Sequence, residues 1–318
     1  MWAISPKDIE VNILIAGGAG FIGSHLTDAL LEAGHTVVCV DNLCLGSESM
    51  IKHHFENPRF AFYKQDICEV EKLDEVFALH KFERVYHLAA NSDIQKGGKN
   101  PSIDIKDTLE TTICILNAIH KHNVKELLFA STSAVYGDKR ERLQETAGDL
   151  RPISYYGGAK LASEAMISAF AAMNAMKVNI IRFPNVVGPR LTHGAIYDFI
   201  KKLRKNPKEL EILGDGKQEK PYIYVADLIE AMLFLPFETG MNIYNAGVES
   251  ATTVKKIADI VCEEMALKEV EYKFTGGSVG WPGDVPKFQY DLSKIHKAGW
   301  KAKHASDEAV RLAARAAL

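Results

Sequence analysis

The sequence predicts an α/β fold: a doubly wound parallel sheet followed by a smaller C-terminal α/β substrate-binding lobe. Three observations carry this. Short apolar runs alternate with amphipathic runs through the first 183 residues, and parallel neighbours need such crossover connections. A glycine-rich turn joins the first apolar run to the first amphipathic one. The residues able to do chemistry fall at the carboxyl ends of the apolar runs, where ligands bind in open sheets of this kind.

The first strand is expected over 11–16, in Val11-Asn12-Ile13-Leu14-Ile15-Ala16. It runs into Gly17-Gly18-Ala19-Gly20-Phe21-Ile22-Gly23, which opens a helix over 21–33. Strand, glycine turn and helix in that order suit a dinucleotide pyrophosphate. Gly17 permits the tight turn. Gly20 lets the backbone approach the phosphates at the positive end of the helix, and Gly23 lets helix and strand pack closely. Phe21 and Ile22 belong to the same cofactor-facing turn. The second strand, 36–41, ends on Asp41 with Asn42 beside it, about twenty residues past the glycines. A carboxylate there accepts both hydroxyls of an adenine ribose and repels a 2′-phosphate. NAD is therefore expected rather than NADP.

Further strands are expected over 59–64, 83–88, 124–131 and 177–183, with helices over 47–55, 69–79, 102–122 and 154–175. Their ends carry Asp66, Ala89-Ala90-Asn91, Ser131-Thr132-Ser133 and Asn185. Beyond residue 183 the alternation loosens, and Gly188-Pro189, Asn206-Pro207, Gly214-Asp215-Gly216 and Gly280-Trp281-Pro282-Gly283 punctuate the chain. A dinucleotide-binding domain over 1–183 and a substrate lobe over 184–318 are expected. The stretch 222–248 reads as strand, helix, strand and is expected to return to the first domain.

A second motif opens the helix after the fifth strand: Tyr156-Gly157-Gly158-Ala159-Lys160. A spacing of four puts Tyr156 and Lys160 on one helix face. A free phenol, with a pKa near 10, is a poor base at neutral pH. A nearby ammonium and a positive nicotinamide favour the phenolate, so Lys160 is expected to lower the pKa of Tyr156. Tyr156 then takes a proton from a sugar hydroxyl as hydride leaves the same carbon. Tyr155 has Ala159 four residues on and lacks such a partner. A hydroxyl from Ser131-Thr132-Ser133, at the end of the fifth strand, can bond the reacting oxygen and share its proton.

Composition excludes several classes. The chain has 318 residues and a formal net charge of −3, without the basic surplus of a nucleic-acid binder. The run Lys201-Lys202-Leu203-Arg204-Lys205 reads as one solvated helix face. No apolar stretch approaches the roughly 18 residues of a membrane span. The early Lys7-Asp8-Ile9-Glu10 argues against a signal peptide. Five scattered cysteines suit reduced thiols in a cytoplasmic protein. His53-His54 and the His120/His122 pair lack carboxylate or Cys partners at ligand spacing, so no metal is expected and helix surfaces are expected to carry them.

With these motifs in hand, the chain resembles the extended short-chain dehydrogenase/reductases with a Rossmann-type fold, and among them the NAD-dependent UDP-glucose (UDP-galactose) 4-epimerases. The resemblance runs nearly the whole length. Its marks are GGAGFIGSHL at 17–26, Asp41-Asn42-Leu43, Gln65-Asp66-Ile67, His87-Leu88-Ala89-Ala90, STSAVYG at 131–137, YGGAK at 156–160, Arg182 to Pro189, GDGKQ at 214–218 and Trp281 to Val285. It implies that Asp66 and Ile67 border the adenine, that Ala89, Ala90 and Ser131 lie along the cofactor, and that Thr132 is the catalytic Ser/Thr. It places Asn185 at the diphosphate of a UDP-sugar, and Asn91, Ser133, Arg190, His193, Lys220, Tyr222, Trp281, Asp284 and Phe288 on the substrate side. The implied reaction is oxidation at C4, rotation of the 4-keto sugar and return of hydride to its other face. Related enzymes dimerise by pairing the helices expected here over 102–122 and 154–175 into a four-helix bundle. The apolar Ile113, Leu116, Leu161, Met166 and Phe170 would serve that second face.

Related 4,6-dehydratases place an Asp-Glu pair after the catalytic Thr, and Ser133 and Ala134 stand there instead. Neither can expel water, which argues against dehydration; a reductase and a non-catalytic NAD-binding regulator are the other readings. Three departures from the family pattern stand out. Thr108-Leu109 replaces an Asn-Val pair, Lys220 replaces a phosphate-gripping Arg, and Trp281 replaces a second Arg. Lysine keeps the charge and loses the bidentate fork. Asn91 and His193 either read sugar hydroxyls or form local turns. Phe288 either limits bulk near C2, favouring UDP-glucose/UDP-galactose over N-acetylhexosamines, or belongs to the core.

Overall fold

The computed structural model describes residues 10–139, 141–277 and 283–318. The chain forms two compact units. The first comprises residues up to Val135, Ser154–Arg182 and Met232–Tyr244; the second comprises Tyr136–Ile153, Phe183–Ala231 and Asn245–Leu318.

Unit 1 is built on a seven-stranded sheet. Its strands are β1 (Asn12–Ala16), β2 (Thr36–Asp41), β3 (Phe60–Lys64), β4 (Arg84–His87), β5 (Glu126–Thr132), β6 (Lys177–Phe183) and the late strand Gly240–Asn245. The order across the sheet is the late strand, then β6, β5, β4, β1, β2 and β3. β1 pairs in parallel with β2 and β4, β2 with β3, and β4 with β5. This is the doubly wound arrangement the alternation predicts. Runs such as Val37-Val38-Cys39-Val40 suit it because both sheet faces are covered, and all four residues are buried. The register aligns Ala16 with Val40 on one side and with His87 on the other. The chain therefore leaves three neighbouring strands at one edge, on both sides of the β1/β4 reversal of strand order.

The helices of unit 1 include α1 (Phe21–Glu32), α2 (Val70–His80), α3 (Ile94–Lys99), α4 (Pro101–Asp104), α5 (Thr111–Lys121) and α6 (Tyr155–Asn174). Two expectations need correcting. The stretch 47–55 holds only two 3-10 turns, Glu48–Met50 and Lys52–His54. Ser47 caps the first turn, and Ile51 interrupts the segment with a non-helical backbone. The single helix expected over 102–122 is instead α4, a π-helical turn Ile105–Glu110, and α5. Pro101 sits at the first helical position behind the Asn100 cap, as its fixed φ favours. The π turn is a local widening of a kind often found at functional sites.

In unit 2, Asn185–Val187 pairs in parallel with Tyr222–Tyr224, and Glu209–Ile212 with Glu271–Phe274. Helices Ala195–Lys205, Val254–Glu264 and Ser306–Ala317 pack their apolar faces into a second core around Phe199, Ile257, Val261 and Val310. No helix among the described residues is long and apolar enough to cross a membrane.

Candidate active site

The turn after β1 is shaped by what a side chain would strike. Gly17 has φ +86°, and a Cβ there would lie 2.7 Å from the backbone nitrogen of Ala89. A Cβ on Gly23 would lie 2.1 Å from the carbonyl oxygen of Gly17. Gly20 caps α1 with no side-chain hydrogen bond, and no acidic residue occupies the first turn. The first N–H groups and the positive end of the helix are thus left to an anionic ligand. Phe21 and Ile22 are half-buried in that turn. Ala89, half-buried like Ala90, donates its N–H to Ala16 at 2.8 Å, which closes the cradle from the β4 side.

Asp41 is 8 % exposed. Its Oδ2 accepts the N–H of Ala19 at 3.0 Å and its Oδ1 that of Leu43 at 2.8 Å. Burial raises its pKa, and the two backbone donors oppose that rise. The carboxylate is held at the strand end with acceptor capacity left on both oxygens, which fits a ribose diol. Gly46 is a contributor the sequence reading missed. A Cβ there would stand 2.7 Å from the Ala19 carbonyl and 3.2 Å from Asp41 Oδ2. Asn42 accepts the N–H of Cys44 and shapes the same turn. Asp66 accepts the N–H of Cys68, and Ile67 is buried. A dinucleotide fits these residues.

Ser154 fixes where α6 begins by accepting the N–H of Gly157 at 3.1 Å, so Tyr156 stands in the first turn. The Thr132 hydroxyl acts on the Tyr156 phenol and favours its ionised form. One turn on, Lys160 is 2 % exposed and donates to the Ala130 carbonyl at 2.6 Å. One turn further, Glu164 accepts both Nε and Nη2 of Arg182, at 3.0 and 2.6 Å, and also the Ser131 hydroxyl. Spacing of four residues and the pairing of β5 with β6 bring these six side chains together. The sequence reading found Tyr156, Lys160, Thr132 and Ser131. It missed Glu164 and Arg182, although Arg182 stands in a quoted family mark and Glu164 continues the i, i+4 series.

Burial pushes the Tyr156 phenol up to about 12; the Thr132 hydroxyl lowers it and the charge of Asp104 raises it. Lys160 is driven down to about 7 by burial, with Glu164 opposing. Lys160 is not among the groups that bring the phenol down: its ammonium is turned onto Ala130 and weakened by the same desolvation. His87, buried beside Lys160, is pushed down to about 3 and stays neutral.

Asn91 is tied into a local turn. Its amide donates to Asp104 at 2.8 Å and to the Asp93 carbonyl at 3.1 Å, and its Oδ1 accepts the N–H of Asp93. Thr108, in the family's Asn place, accepts the Asn91 N–H at 3.2 Å. Asp104 is 1 % exposed, and its Oδ2 is buried with no hydrogen-bond partner. A Cβ at Gly97 would lie 2.0 Å from that oxygen. This network, too, was missed. Ser133 begins a 3-10 turn, Ser133–Tyr136.

In unit 2 the Tyr222 phenol is pushed up by burial and by the charge of Asp284, and the Asn185 side chain opposes that rise. Lys220 pairs with Asp284. Arg190 adopts a left-handed backbone, φ +65°. His193 is exposed and hydrogen-bonded to Thr192. Phe288 is 7 % exposed and packs edge-on to Tyr290. Trp281 lies outside the described residues.

Asp28 corrects the reading of the paired histidines. It presents a carboxylate from α1 to both His53 and His54. Likewise, His122 meets Asp74.

A glycine-turned helix end, a strand-end acid and a Tyr/Lys pair beside a strand-end hydroxyl fit an NAD-binding α/β enzyme. Residues 13–247 match the model of the NAD dependent epimerase/dehydratase family, and the chain belongs to that family. A putative UDP-glucose 4-epimerase of Methanocaldococcus jannaschii is 32 % identical over 295 residues, covering 91 % of this chain and 92 % of that protein. UDP-glucuronic acid decarboxylase 1 of Arabidopsis thaliana is also 32 % identical, over 92 % of this chain and 67 % of its own length. The crystal structure of Thermus thermophilus UDP-glucose 4-epimerase in complex with NAD superposes with a TM-score of 0.86 at 29 % identity, covering 96 % of this chain and 98 % of that one. NAD is the cofactor of this family.

Proposed function

We propose that this protein is a UDP-hexose 4-epimerase that interconverts UDP-glucose and UDP-galactose. The observation that carries the reading is the Thr132 hydroxyl acting on the Tyr156 phenol at a strand end where no acid follows. Tyr156 takes the proton of the 4-hydroxyl, and Thr132 holds the reacting oxygen and shares that proton. Bound NAD supplies the acceptor and later the donor of one hydride. Lys160 would hold the nicotinamide ribose, and its charge would favour the Tyr156 phenolate. Asn185, Tyr222, Lys220 and Arg190 take the sugar diphosphate. The 4-keto sugar turns, and Tyr156 returns its proton after hydride reaches the opposite face.

Ser133 and Ala134 carry no carboxyl group, so nothing at those positions can protonate a leaving hydroxyl or take a C5 proton. Phe288 is offered as a limit on bulk near C2, against N-acetylhexosamines. A homodimer through α5 and α6 is supported by Ile113, Leu161 and Phe170, which are only partly buried, and by Met166, which is 45 % exposed; Leu116 faces the core. Solution mass tests that assembly. Five free thiols suit a cytoplasmic setting.

The test is a panel of UDP-, dTDP-, GDP- and CDP-sugars incubated without added cofactor, with products read by NMR. UDP-glucose and UDP-galactose should interconvert to equilibrium. A 4-keto-6-deoxy product would make the protein a dehydratase, and a pentose from UDP-glucuronate a decarboxylase. Tight NAD binding with no turnover of any sugar would leave a regulatory NAD-binding protein.

A further inference from the structure

The geometry points to a zinc site on the outer side of unit 1, made by Asp28 of α1 with His53 and His54 of the turn Lys52–His54. The Nε2 atoms of both histidines converge on one oxygen, Asp28 Oδ1, at 2.9 and 2.7 Å. The three donor atoms lie within 4.8 Å of one another. Neither imidazole reaches there by accident of a mobile side chain. The rings pack against each other with centroids 4.0 Å apart, and His54 also packs against Phe60.

Chemistry selects the ion. Two imidazoles and a carboxylate form a borderline donor set that suits Zn²⁺, whereas Mg²⁺ and Ca²⁺ require oxygen ligands. In these contacts each Nε2–H donates to the Asp28 carboxylate; to take an ion each imidazole shifts its proton to Nδ1, so that Nε2 offers a lone pair. His53 is 48 % exposed on its side chain, so water can complete the coordination from the solvent side. The site lies apart from the Tyr156 constellation in sequence and in composition, and none of its residues has a part in the proposed epimerisation.

Its consequence is local order. The segment from Asn42 to His54 leaves β2 directly after Asp41. At one end Ser47 donates its N–H to Ala19, the same residue whose N–H bonds Asp41. At the other end the side chains of His53 and His54 tie the turn to Asp28 of α1. An ion shared by Asp28, His53 and His54 would staple that second end and hold the wall beside the ribose carboxylate.

The experiment uses the full chain with its NAD bound, stripped of metal by chelator and titrated with ZnCl₂ by calorimetry. CoCl₂ serves as a spectroscopic probe, and amide exchange reports on residues 47–55. One Zn²⁺ per chain is expected, with slower exchange in that segment and Co²⁺ d–d bands lacking a thiolate charge-transfer band. Asp28→Asn and His54→Ala should each weaken binding by about tenfold or more. His53→Gln, at the exposed side, serves the same purpose if the half-buried variants fail to fold. Absence of binding, a thiolate band, or unchanged affinity in these variants would overturn the proposal.

Discussion

Two buried ion pairs, one in each unit, are built differently. In unit 1 Arg182 and Glu164 are 2 % and 5 % exposed, meet through two nitrogens and two oxygens, and also engage Ser131. In unit 2 Lys220 and Asp284 are 13 % and 4 % exposed and meet through a single ammonium. A guanidinium fork fixes direction as well as charge, while an ammonium is a point charge that can turn to a new anion. The first pair is architecture beneath Lys160 and Tyr156. The second is suited to release its lysine to a diphosphate. One region is assembled before ligand arrives; the other keeps a cation in reserve.

The largest expected effect falls on the prebuilt side. Tyr156→Phe should lower turnover by about 10³-fold, because it removes the base of the proposed reaction. NAD binding, measured by fluorescence quenching, should be unchanged. Retained activity would mean that the proton passes elsewhere. Arg182→Leu comes next. It strands a buried carboxylate and should cost about 3–5 kcal/mol of stability in denaturant unfolding. A loss no greater than that of a surface pair would show that water reaches Glu164 and would break the contrast.

Lys220→Met tests the reserve. Unfolding free energy should fall by about 1–3 kcal/mol, less than for Arg182→Leu. KM for the UDP-sugar should rise about tenfold with kcat nearly held, the size of one charge-assisted contact. Equal stability losses at the two positions with KM unmoved would make Lys220 as structural as Arg182.

The same contrast governs what could be read from the sequence. Gly17, Gly20, Gly23 and Asp41 were legible because their spacing is fixed by one strand, one turn and one helix. Tyr156 and Lys160 were legible for the same reason, four residues apart on α6. Glu164 with Arg182 and Asp28 with His53 and His54 join residues 18 to 26 positions apart across different elements. No periodicity announces such pairings. The helix expected over 102–122 was right in its apolar pattern and wrong in its continuity. Pro101 and the Asn100 cap start it early, and the π turn at Ile105–Glu110 shifts its faces. The pKa of Tyr156 ran against expectation because charge counts in a sequence carry no information about desolvation.

The smallest effect lies beside that π turn. Asp104 touches Asn91 by hydrogen bond and Tyr156 only through its field. The phenolate is the active base, and a negative charge nearby opposes its formation, so Asp104→Asn should lower the phenol's pKa. The rising acid limb of kcat/KM against pH should move to lower pH by about half a unit or less. Asn keeps an acceptor for the Asn91 amide, which guards the loop. Asp104 itself titrates above the ordinary carboxyl range because of its burial. Below that ionisation both proteins are neutral at this position and their limbs should coincide; above it they should separate. Separation in the opposite direction would mean that the carboxylate favours the phenolate through Asn91, and unit 1 would then be tuned by its network rather than by the field of a single buried charge.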